Sequence, residues 1–311
     1  MSARIHSSTT LIFNPTAGAG RARRHRAELE AELQRWPFPP EVVETEGRGH
    51  ATELAMAAVH SGASMVIAAG GDGTAHETVQ GLLTAADGKR ETTFAYLPLG
   101  TGCDFATSLG LPHDLRAVAR GLPHGRDLRI DVGVAEQSGR DGVCPRYFLN
   151  AANVGLGPEV AARVAKSRWL RQLGTPAYLL AAIPALIKVR PQEVCWRTDE
   201  GLSGAGPLLN LSACNGPSFG GGMRPCPQAA LTSGRLHVAV VGPLGIIAAA
   251  RQIPRLMRGR RLDHAAVKNF SCRALQIDGP PLPVETDGEV EGELPTCLSV
   301  RPGGLLVRLP V

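Results

Sequence analysis

The chain has 311 residues, of which 43% are hydrophobic and 20% are charged, and its formal net charge is +5. This composition excludes a disordered or fibrous protein, allows two domains with ample cores, and favours an anionic partner. Only 4% of the residues are aromatic, which argues against nucleic acid as that partner, and the seven cysteines form no Cys-x-x-Cys pair that would indicate a zinc site or a disulfide framework.

Residues 1–129 alternate short apolar strands with helical segments. The predicted strands are Leu11–Asn14, Glu41–Glu44, Met65–Ala69 and Phe94–Leu97. The predicted helices are Arg21–Trp36, His50–Ser61, His76–Ala85 and Leu115–Arg120. This alternation is typical of an α/β fold with a doubly wound parallel sheet, so we predict one such domain over residues 1–129.

Glycine-rich segments follow three of these strands, at Asn14–Arg21, Gly70–Thr74 and Pro98–Phe105. The carboxyl ends of parallel strands share one edge of a sheet, where ligands bind. Glycine allows the backbone to approach a ligand closely, and a helix N-terminus favours phosphate. Asp72 would repel a phosphate unless a cation or a hydroxyl group lies between them. The segment Gly70–Thr74 therefore indicates a nucleotide phosphate site with Mg²⁺ or an acceptor hydroxyl, although a simple strand-to-helix turn with a capping side chain is the alternative.

The pattern changes near Arg129, after which short β-like runs are separated by Gly and Pro turns. The predicted strands are Tyr147–Asn153, Glu193–Arg197, Leu208–Cys214, Arg235–Val241, Ser271–Ile277, Leu298–Arg301 and Leu305–Leu309. Helices are predicted at about Pro158–Ser167, Pro176–Val189 and Gly245–Met257. We predict a β-rich, antiparallel, sandwich-like second domain over residues 130–302.

Six ordered motifs carry a family resemblance. They are Asn14-Pro15 with Gly18 and Gly20, Gly70-Gly71-Asp72-Gly73-Thr74 with Glu77, Pro98-Leu99-Gly100-Thr101 with Asp104-Phe105, Asn153-Val154-Gly155, Asn215 with Gly220-Gly221-Gly222, and Asp287-Gly288-Glu289. Together they resemble the diacylglycerol kinase catalytic domain, and most closely the bacterial soluble lipid kinases related to sphingosine kinase. The resemblance implies an ATP-binding first domain, joined by residues 303–311, and a lipid-binding second domain.

The resemblance also implies roles for individual residues. Those expected to contact ATP are Asn14, Thr16, Thr45, Gly70, Gly71, Asp72, Gly73, Thr74, Ala75, His76 and Thr101. Asp72 and Asp104 are expected to reach Mg²⁺ that ATP itself mainly holds. Capping of a helix or turn is the competing interpretation for Thr16, Thr45 and Asp104.

Asp287 and Glu289 are the two candidates for the group that takes the proton of the lipid hydroxyl, with Asp72 as the catalytic carboxylate on the nucleotide side. A hairpin is the competing interpretation, because Asp-Gly is a strong turn signal. The family usually has Asn at the position of Cys103. It also usually has Asp at the position of Ser233, in an accessory metal site that we therefore doubt here, since a serine is a poor ligand for a hard cation.

Two segments mix cations with apolar residues, namely Arg251–Arg261 and Lys166–Arg190, the latter with Trp169, Leu170 and Leu173. Either could lie on an anionic phospholipid surface, or could cover the sheet with its cations solvated. No apolar signal or membrane-spanning run is found in the sequence. We expect a cytoplasmic protein that associates peripherally with membranes, and the sequence leaves a homodimer open.

The leading hypothesis is an ATP- and Mg²⁺-dependent lipid kinase that acts on a hydroxyl of a diacylglycerol-like, phosphatidylglycerol-like or sphingoid lipid. A soluble small-molecule kinase of the NAD kinase type shares the Gly-Gly-Asp-Gly-Thr turn and is the first alternative. The second alternative is a nucleotide- and lipid-binding regulator without turnover.

Overall fold

The computed structural model describes residues 8–86, 91–139, 142–167 and 175–311. The chain forms two compact units, Met1–Ile130 with Leu305–Val311, and Asp131–Gly304. The sequence predicts the corresponding domains at 1–129 with 303–311 and at 130–302. Trp169, Leu170 and Leu173 lie outside the described residues. Among the described residues, no helix has the length and apolarity that crossing a bilayer requires.

The strands are β1 (Thr9–Phe13), β2 (Glu41–Glu44), β3 (Met65–Gly70), β4 (Thr93–Pro98), β5 (Arg126–Gly139), β6 (Gly142–Phe148), β7 (Ala151–Gly155), β8 (Gln192–Thr198), β9 (Ser203–Leu208), β10 (Asn210–Cys214), β11 (Leu236–Val241), β12 (Val267–Cys272), β13 (Ala274–Asp278), β14 (Pro283–Thr286), β15 (Glu289–Glu293) and β16 (Thr296–Leu309). The helices are α1 (Arg21–Leu33), α2 (His50–His60), α3 (Asp72–Ala85), α4 (Asp104–Leu109), α5 (Leu115–Gly121), α6 (Leu156–Lys166), α7 (Thr175–Lys188) and α8 (Ile246–Met257).

The first unit has a parallel sheet in the order β2-β1-β3-β4-β16, with the last part of β16 as its final strand. The core residues of its central strands are buried on both faces, as expected where helices cover a parallel sheet. Leu29 and Leu33 of α1 pack against this core. The predicted α/β class with a doubly wound parallel sheet is confirmed.

The ends of β1, β3 and β4 lie at one edge of this sheet. Phe13 is in register with Ala69, and Gly70 is in register with Pro98. The three glycine-rich segments that follow these strands therefore begin side by side, which is the arrangement that the strand order predicts.

The second unit is an antiparallel β-sandwich, as predicted. One sheet has the order β12-β11-β10-β7-β14-β15. The other contains β6, β5, the first part of β16, β13, β8 and β9. Their facing side chains form one buried cluster, in which Val154, Leu211 and Val238 of the first sheet meet Trp196, Leu275 and Leu298 of the second.

Several strand limits differ from those predicted. Tyr147–Asn153 and Ser271–Ile277 are each interrupted, because the main-chain amides at the break donate to side-chain carboxylates, of Asp287 and Asp199 respectively. Leu208–Cys214 is also divided, between β9 and β10. Conversely, Leu298–Arg301 and Leu305–Leu309 belong to the single strand β16, which continues through Gly303 at a positive φ of 59°.

Candidate functional site

The turn between β3 and α3 leaves no room for a side chain at Gly70, or at Gly100 of the neighbouring loop after β4. A Cβ atom on Gly70 would lie 2.4 Å from the Thr74 Oγ1 atom, and one on Gly100 would lie 2.7 Å from the Gly71 Cα atom. Gly71 is extended, with φ −91° and ψ −175°, and directly precedes α3. The first amides of a helix have no acceptor within the helix, so this turn presents them, with the positive end of the helix dipole, at the sheet edge.

Asn14 joins the first glycine-rich loop to α3. Its Nδ2 atom donates to Thr74 Oγ1 at 2.9 Å, and its Oδ1 atom accepts from the Thr16 amide and hydroxyl at 3.0 and 2.8 Å. One asparagine thus fixes the positions of two hydroxyl-bearing residues that the family resemblance assigns to ATP.

Arg21 connects the first and third loops. Its guanidinium donates to the carbonyl oxygens of Gly18 and Gly100, both at 3.2 Å. The two loops are close enough that a Cβ on Gly18 would lie 2.5 Å from the Leu99 carbonyl oxygen. Arg21 is exposed, so it also supplies positive charge beside the α3 turn.

The Asp72 carboxylate is held by the backbone of α4. Its Oδ2 atom accepts from the Asp104 amide at 2.9 Å and its Oδ1 atom accepts from the Phe105 amide at 3.1 Å. Asp72 therefore caps α4, a role that the sequence offers to Asp104 as the alternative to metal binding. Asp104 is itself buried as the first residue of α4.

A hard cation suits this carboxylate, but the described residues alone do not surround one. In the part of the chain that the structure describes, no three His, Cys, Asp or Glu side chains are grouped as metal ligands. Mg²⁺ is commonly held by one or two carboxylates with substrate phosphates and water as its other ligands. The donor set around Asp72 fits that arrangement.

Tyr96 and Cys103 lie beneath the turn. The Tyr96 hydroxyl donates to the Gly70 carbonyl oxygen at 3.4 Å and contacts the Cys103 sulfur at 3.6 Å. Burial, and secondly the negative charge of Asp72, raise the pKa of the Cys103 thiol to about 11. Cys103 has a left-handed φ of 48°, a conformation that asparagine tolerates better than most residues.

The other residues assigned to ATP occupy different surroundings. Thr45 is buried, and its amide donates to the Phe13 carbonyl oxygen. Ala75 and His76 are buried in α3, whereas Thr101 is exposed after β4. Glu77, part of the same motif, accepts from the Gly49 and Ala51 amides and so caps α2.

In the second unit, Asp287 and Gly288 form the turn of the β14–β15 hairpin, with φ values of 50° and 97°. The Asp287 carboxylate accepts three backbone hydrogen bonds, which come from Leu149 at 2.6 Å, Asn150 at 2.8 Å and Ala151 at 3.1 Å. The hairpin that the sequence offers as the competing interpretation is thus present, and Asp287 fixes the backbone that leads into β7.

The buried Glu285 side chain also stabilises this turn. The sequence does not identify it as a positioning residue. It is 3% exposed, accepts from Asn153 Nδ2 at 2.6 Å and accepts from the Gly288 amide. Asn153 in turn accepts from the Ser212 hydroxyl at 2.6 Å. Glu289 begins β15 directly after this network and is partly exposed. In the sequence, acidic residues stand at every second position from Glu285 to Glu289. That spacing is the signal that could have pointed to Glu285.

Hydrogen bonds within the protein stabilise the turn that contains Ser233. The Ser233 hydroxyl donates to the Arg235 carbonyl oxygen at 3.0 Å. The buried Asp131 carboxylate accepts from the amides of Gly234 at 2.6 Å and Gly303 at 2.9 Å. A serine in place of an acidic residue does not fit a divalent-cation site at this turn.

Comparison with known families identifies both halves of the chain. Residues 8–135 match the family described as "Diacylglycerol kinase catalytic domain". Residues 150–309 match the family described as "YegS C-terminal NAD kinase beta sandwich-like domain".

Curated relatives match over most of their length. The chain is 28% identical over 287 residues to "Diacylglycerol kinase" of Bacillus subtilis, covering 92% of this chain and 90% of the relative. It is 32% identical over 270 residues to "Probable lipid kinase YegS-like" of Pseudomonas aeruginosa strain PAO1, covering 84% of this chain and 82% of the relative.

Solved structures show the same fold. A protein from Bacillus anthracis superposes with a TM-score of 0.77 at 24% identity, over 97% of both chains. Yeast NADH kinase superposes with a TM-score of only 0.51 at 10% identity, covering 97% of this chain and 82% of that one. The second similarity is one of fold alone.

Proposed function

Because this chain belongs to the family of the diacylglycerol kinases and YegS-like lipid kinases, we propose that it transfers the γ-phosphate of ATP to a hydroxyl group of a diacylglycerol-like lipid. The protein is a lipid kinase. Phosphatidylglycerol-like and sphingoid lipids carry the same acceptor group and are the other members of the proposed substrate class. A small-molecule kinase is less favoured, because the likeness to NADH kinase does not extend beyond the fold.

The observation that carries the proposal is the pairing of a phosphate-compatible turn with a fixed carboxylate. Gly70 and Gly71 bring the backbone to the N-terminus of α3, and Asp72 is held there by the Asp104 and Phe105 amides. The first amides of α3 suit the phosphates of ATP, while the carboxylate suits a cation that those phosphates also bind. We propose that Asn14 and Thr16 complete this site from the first loop.

Mg²⁺ would be held by Asp72 together with the ATP phosphates. Bound there, it would neutralise the negative charge of the phosphates. The surrounding residues contribute in a different way, because the α3 amides and Asn14 would hold the phosphate chain in one orientation. Positioning of this kind supplies much of the rate enhancement. Asp104 would support this site by starting α4 rather than by binding the cation.

On the acceptor side, we propose that Glu289 takes the proton of the lipid hydroxyl. Asp287 is occupied by three backbone amides, and Glu285 is buried against Asn153 and Gly288. Glu289 follows the same turn at the start of β15 and is partly exposed. As the lipid oxygen bonds to the γ-phosphorus and the bond to ADP breaks, the hydroxyl proton would pass to the Glu289 carboxylate.

The test is transfer of label from γ-labelled ATP, with Mg²⁺, to diacylglycerol, phosphatidylglycerol and sphingosine in mixed micelles, and to NAD in solution. We expect a labelled lipid, with kcat falling at least about 100-fold in Glu289→Gln, as is typical when a general base is lost. We expect Asp72→Ala to abolish transfer.

Asp114→Ala is the matched control for Asp72→Ala. Asp114 also caps a short helix, since its carboxylate accepts from the Arg116 amide at 2.9 Å, but it lies outside the proposed site. Labelled lipid from the Asp114 variant, and none from the Asp72 variant at equal folded fraction, would support a role for Asp72 at this site, either through the cation or through the backbone that it holds. Labelled NAD without labelled lipid, or full transfer by Glu289→Gln, would refute the substrate class or the proton acceptor respectively.

A further inference from the structure

Helices α7 and α8 both pack against one buried cluster of the second unit. Leu186 and Val189, at the end of α7, and Leu244 and Leu256, at α8, pack around the same buried cluster. That cluster is formed by Leu209, Val241 and Leu262. The outward faces of the two helices therefore belong to one region of the surface.

Large apolar side chains occupy these outward faces. On α7, Leu180, Ile183 and Ile187 are 48%, 54% and 67% exposed, at a spacing that places them on one side of the helix. At the start of α8, Ile246 and Ile247 are 56% and 71% exposed. Exposed apolar residues that cluster in this way mark interaction sites. We call this region, with the arginines described next, the α7–α8 face.

The α7–α8 face is also cationic. Residues 243–261 contain five arginines and no acidic residue. Arg255 is paired with Asp263 at 3.6 Å, and Arg261 donates to the Asn269 carbonyl oxygen. Arg251, Arg258 and Arg260 are exposed and have no ion pair among the described residues.

The one acidic side chain of α6, Glu159, does not compensate these arginines. It is paired with Arg163 and Lys188, and these cations hold its pKa below the usual range against the opposing effect of burial. The face therefore combines apolar side chains with guanidinium groups that no described carboxylate pairs. That combination complements a bilayer with anionic headgroups, into which the isoleucines insert while the arginines contact phosphates.

We propose that the α7–α8 face docks the protein onto anionic phospholipid bilayers. The inference rests on the proposed function, since a lipid kinase must reach a substrate held in a membrane. Gly155 of β7 is in register with Asn210, beside the buried cluster, whereas the Asp287 amide donates to Ala151 at the other end of β7. The buried cluster under the two helices and the acceptor turn thus lie at opposite ends of β7, about 14 Å of strand apart.

The test is co-sedimentation with vesicles of phosphatidylcholine alone or mixed with phosphatidylglycerol, at low and high salt and without ATP. We expect the wild-type protein to prefer the anionic vesicles at low salt. Arg251→Gln combined with Arg258→Gln should lower that partition about 25-fold, from about fivefold for each lost charge. Arg197→Gln combined with Arg273→Gln removes equal charge from exposed positions elsewhere in the unit and should leave it unchanged.

A second pair of substitutions tests the apolar part. Ile246→Ser combined with Ile247→Ser should reduce binding to both kinds of vesicle, with little effect of salt on the reduction. Equal partition of wild type and both double variants would overturn the proposal. So would a wild-type dimer that the isoleucine variant converts to a monomer, because a second copy would then cover the face.

Phosphoryl transfer to lipid in neutral detergent micelles separates this inference from the proposed function. We expect the double variants to keep their micellar activity, which also shows that they are folded. If the wild type binds anionic vesicles selectively but labels no lipid, the docking face stands and the proposed function fails. If the wild type labels lipid but no substitution on the face alters vesicle binding, the proposed function stands and the docking face fails.

Discussion

The substitution Asp287→Asn separates a positioning role from a chemical one. Asparagine keeps the shape of the side chain and tolerates the left-handed φ of 50° at this turn. It retains one oxygen, which can still accept from Asn150 and Ala151. Its amide group, however, then faces the Leu149 amide, which donates to the carboxylate at 2.6 Å in the native protein. The asparagine NH₂ group and the Leu149 N–H, both donors, would then face each other in place of the hydrogen bond to the charged carboxylate.

The expected cost follows from these contacts. Hydrogen bonds to a charged group contribute about 1.5–3 kcal/mol each, and an unsatisfied buried donor costs about 1–3 kcal/mol. Leu149, Asn150 and Ala151 are all buried, so water does not replace the lost acceptor. Asp287 itself is partly exposed, which reduces the effect. We expect the loop before β7 to open more easily by about 2 kcal/mol, a change of about 30-fold in the opening equilibrium.

Hydrogen exchange at the amides of residues 149–151 measures this directly, without requiring two-state unfolding of a chain with two units. Exchange should be about 30-fold faster in Asp287→Asn. Glu289→Gln makes the same carboxylate-to-amide change two residues away and should leave exchange unaltered while it lowers kcat. The reasoning would be refuted if Asp287→Asn exchanged like the wild type and yet lost phosphoryl transfer, because Asp287 would then act in the chemistry.

Three further predictions concern the first unit. Gly70→Ala should weaken ATP binding about tenfold or more in calorimetry. The new Cβ would lie 2.4 Å from the Thr74 side-chain oxygen, and overpacking of this kind costs about 1–3 kcal/mol. In the control Gly47→Ala, the new Cβ meets no atom within 4 Å, so this variant should bind ATP normally. Cys103→Asn should keep activity and raise the unfolding temperature, since asparagine adopts the left-handed φ of 48° more easily; a lower temperature would contradict this. A hydrogen bond from Arg120 lowers the pKa of Glu32 from 4.5 to about 2, so its stabilisation is complete above pH 4.5 and is lost as the pH falls towards 2. The urea midpoint of the wild type should therefore approach that of Glu32→Gln over this interval, and parallel curves would exclude the effect.

The sheet edge in the first unit is predictable because its signals are local. Each strand is an apolar run, each loop contains glycine, and the parallel order follows from the alternation with helices. The predicted division of β16 is wrong for a related reason. Pro302-Gly303-Gly304 reads as a break, yet the Gly303 amide finds an acceptor in Asp131, 172 residues earlier, and the strand continues. Local patterns do not report such distant partners.

The same limitation applies to the acceptor turn. The Asp-Gly pair correctly indicates a hairpin, and the two carboxylates are equivalent candidates in the sequence because spacing alone does not rank them. The contacts that separate them join residues 136 to 138 positions apart in the chain. Likewise, the sequence offers Asp104 as a helix cap, whereas the carboxylate that caps α4 comes from Asp72.

The two units thus use aspartate in the same way. Asp72 and Asp287 each follow or precede glycine in a tight turn, and each carboxylate accepts main-chain amides from the start of another element. Loss of activity in an alanine variant of either residue would therefore not show participation in the chemistry, because the backbone around the site would be released at the same time. Asp72 keeps a second proposed role because a cation can share a carboxylate that is already hydrogen-bonded. Asp287 is the poorer proton acceptor, because three main-chain amides stabilise its ionised form. On that argument, Glu289 is the residue whose conservative replacement separates catalysis from folding.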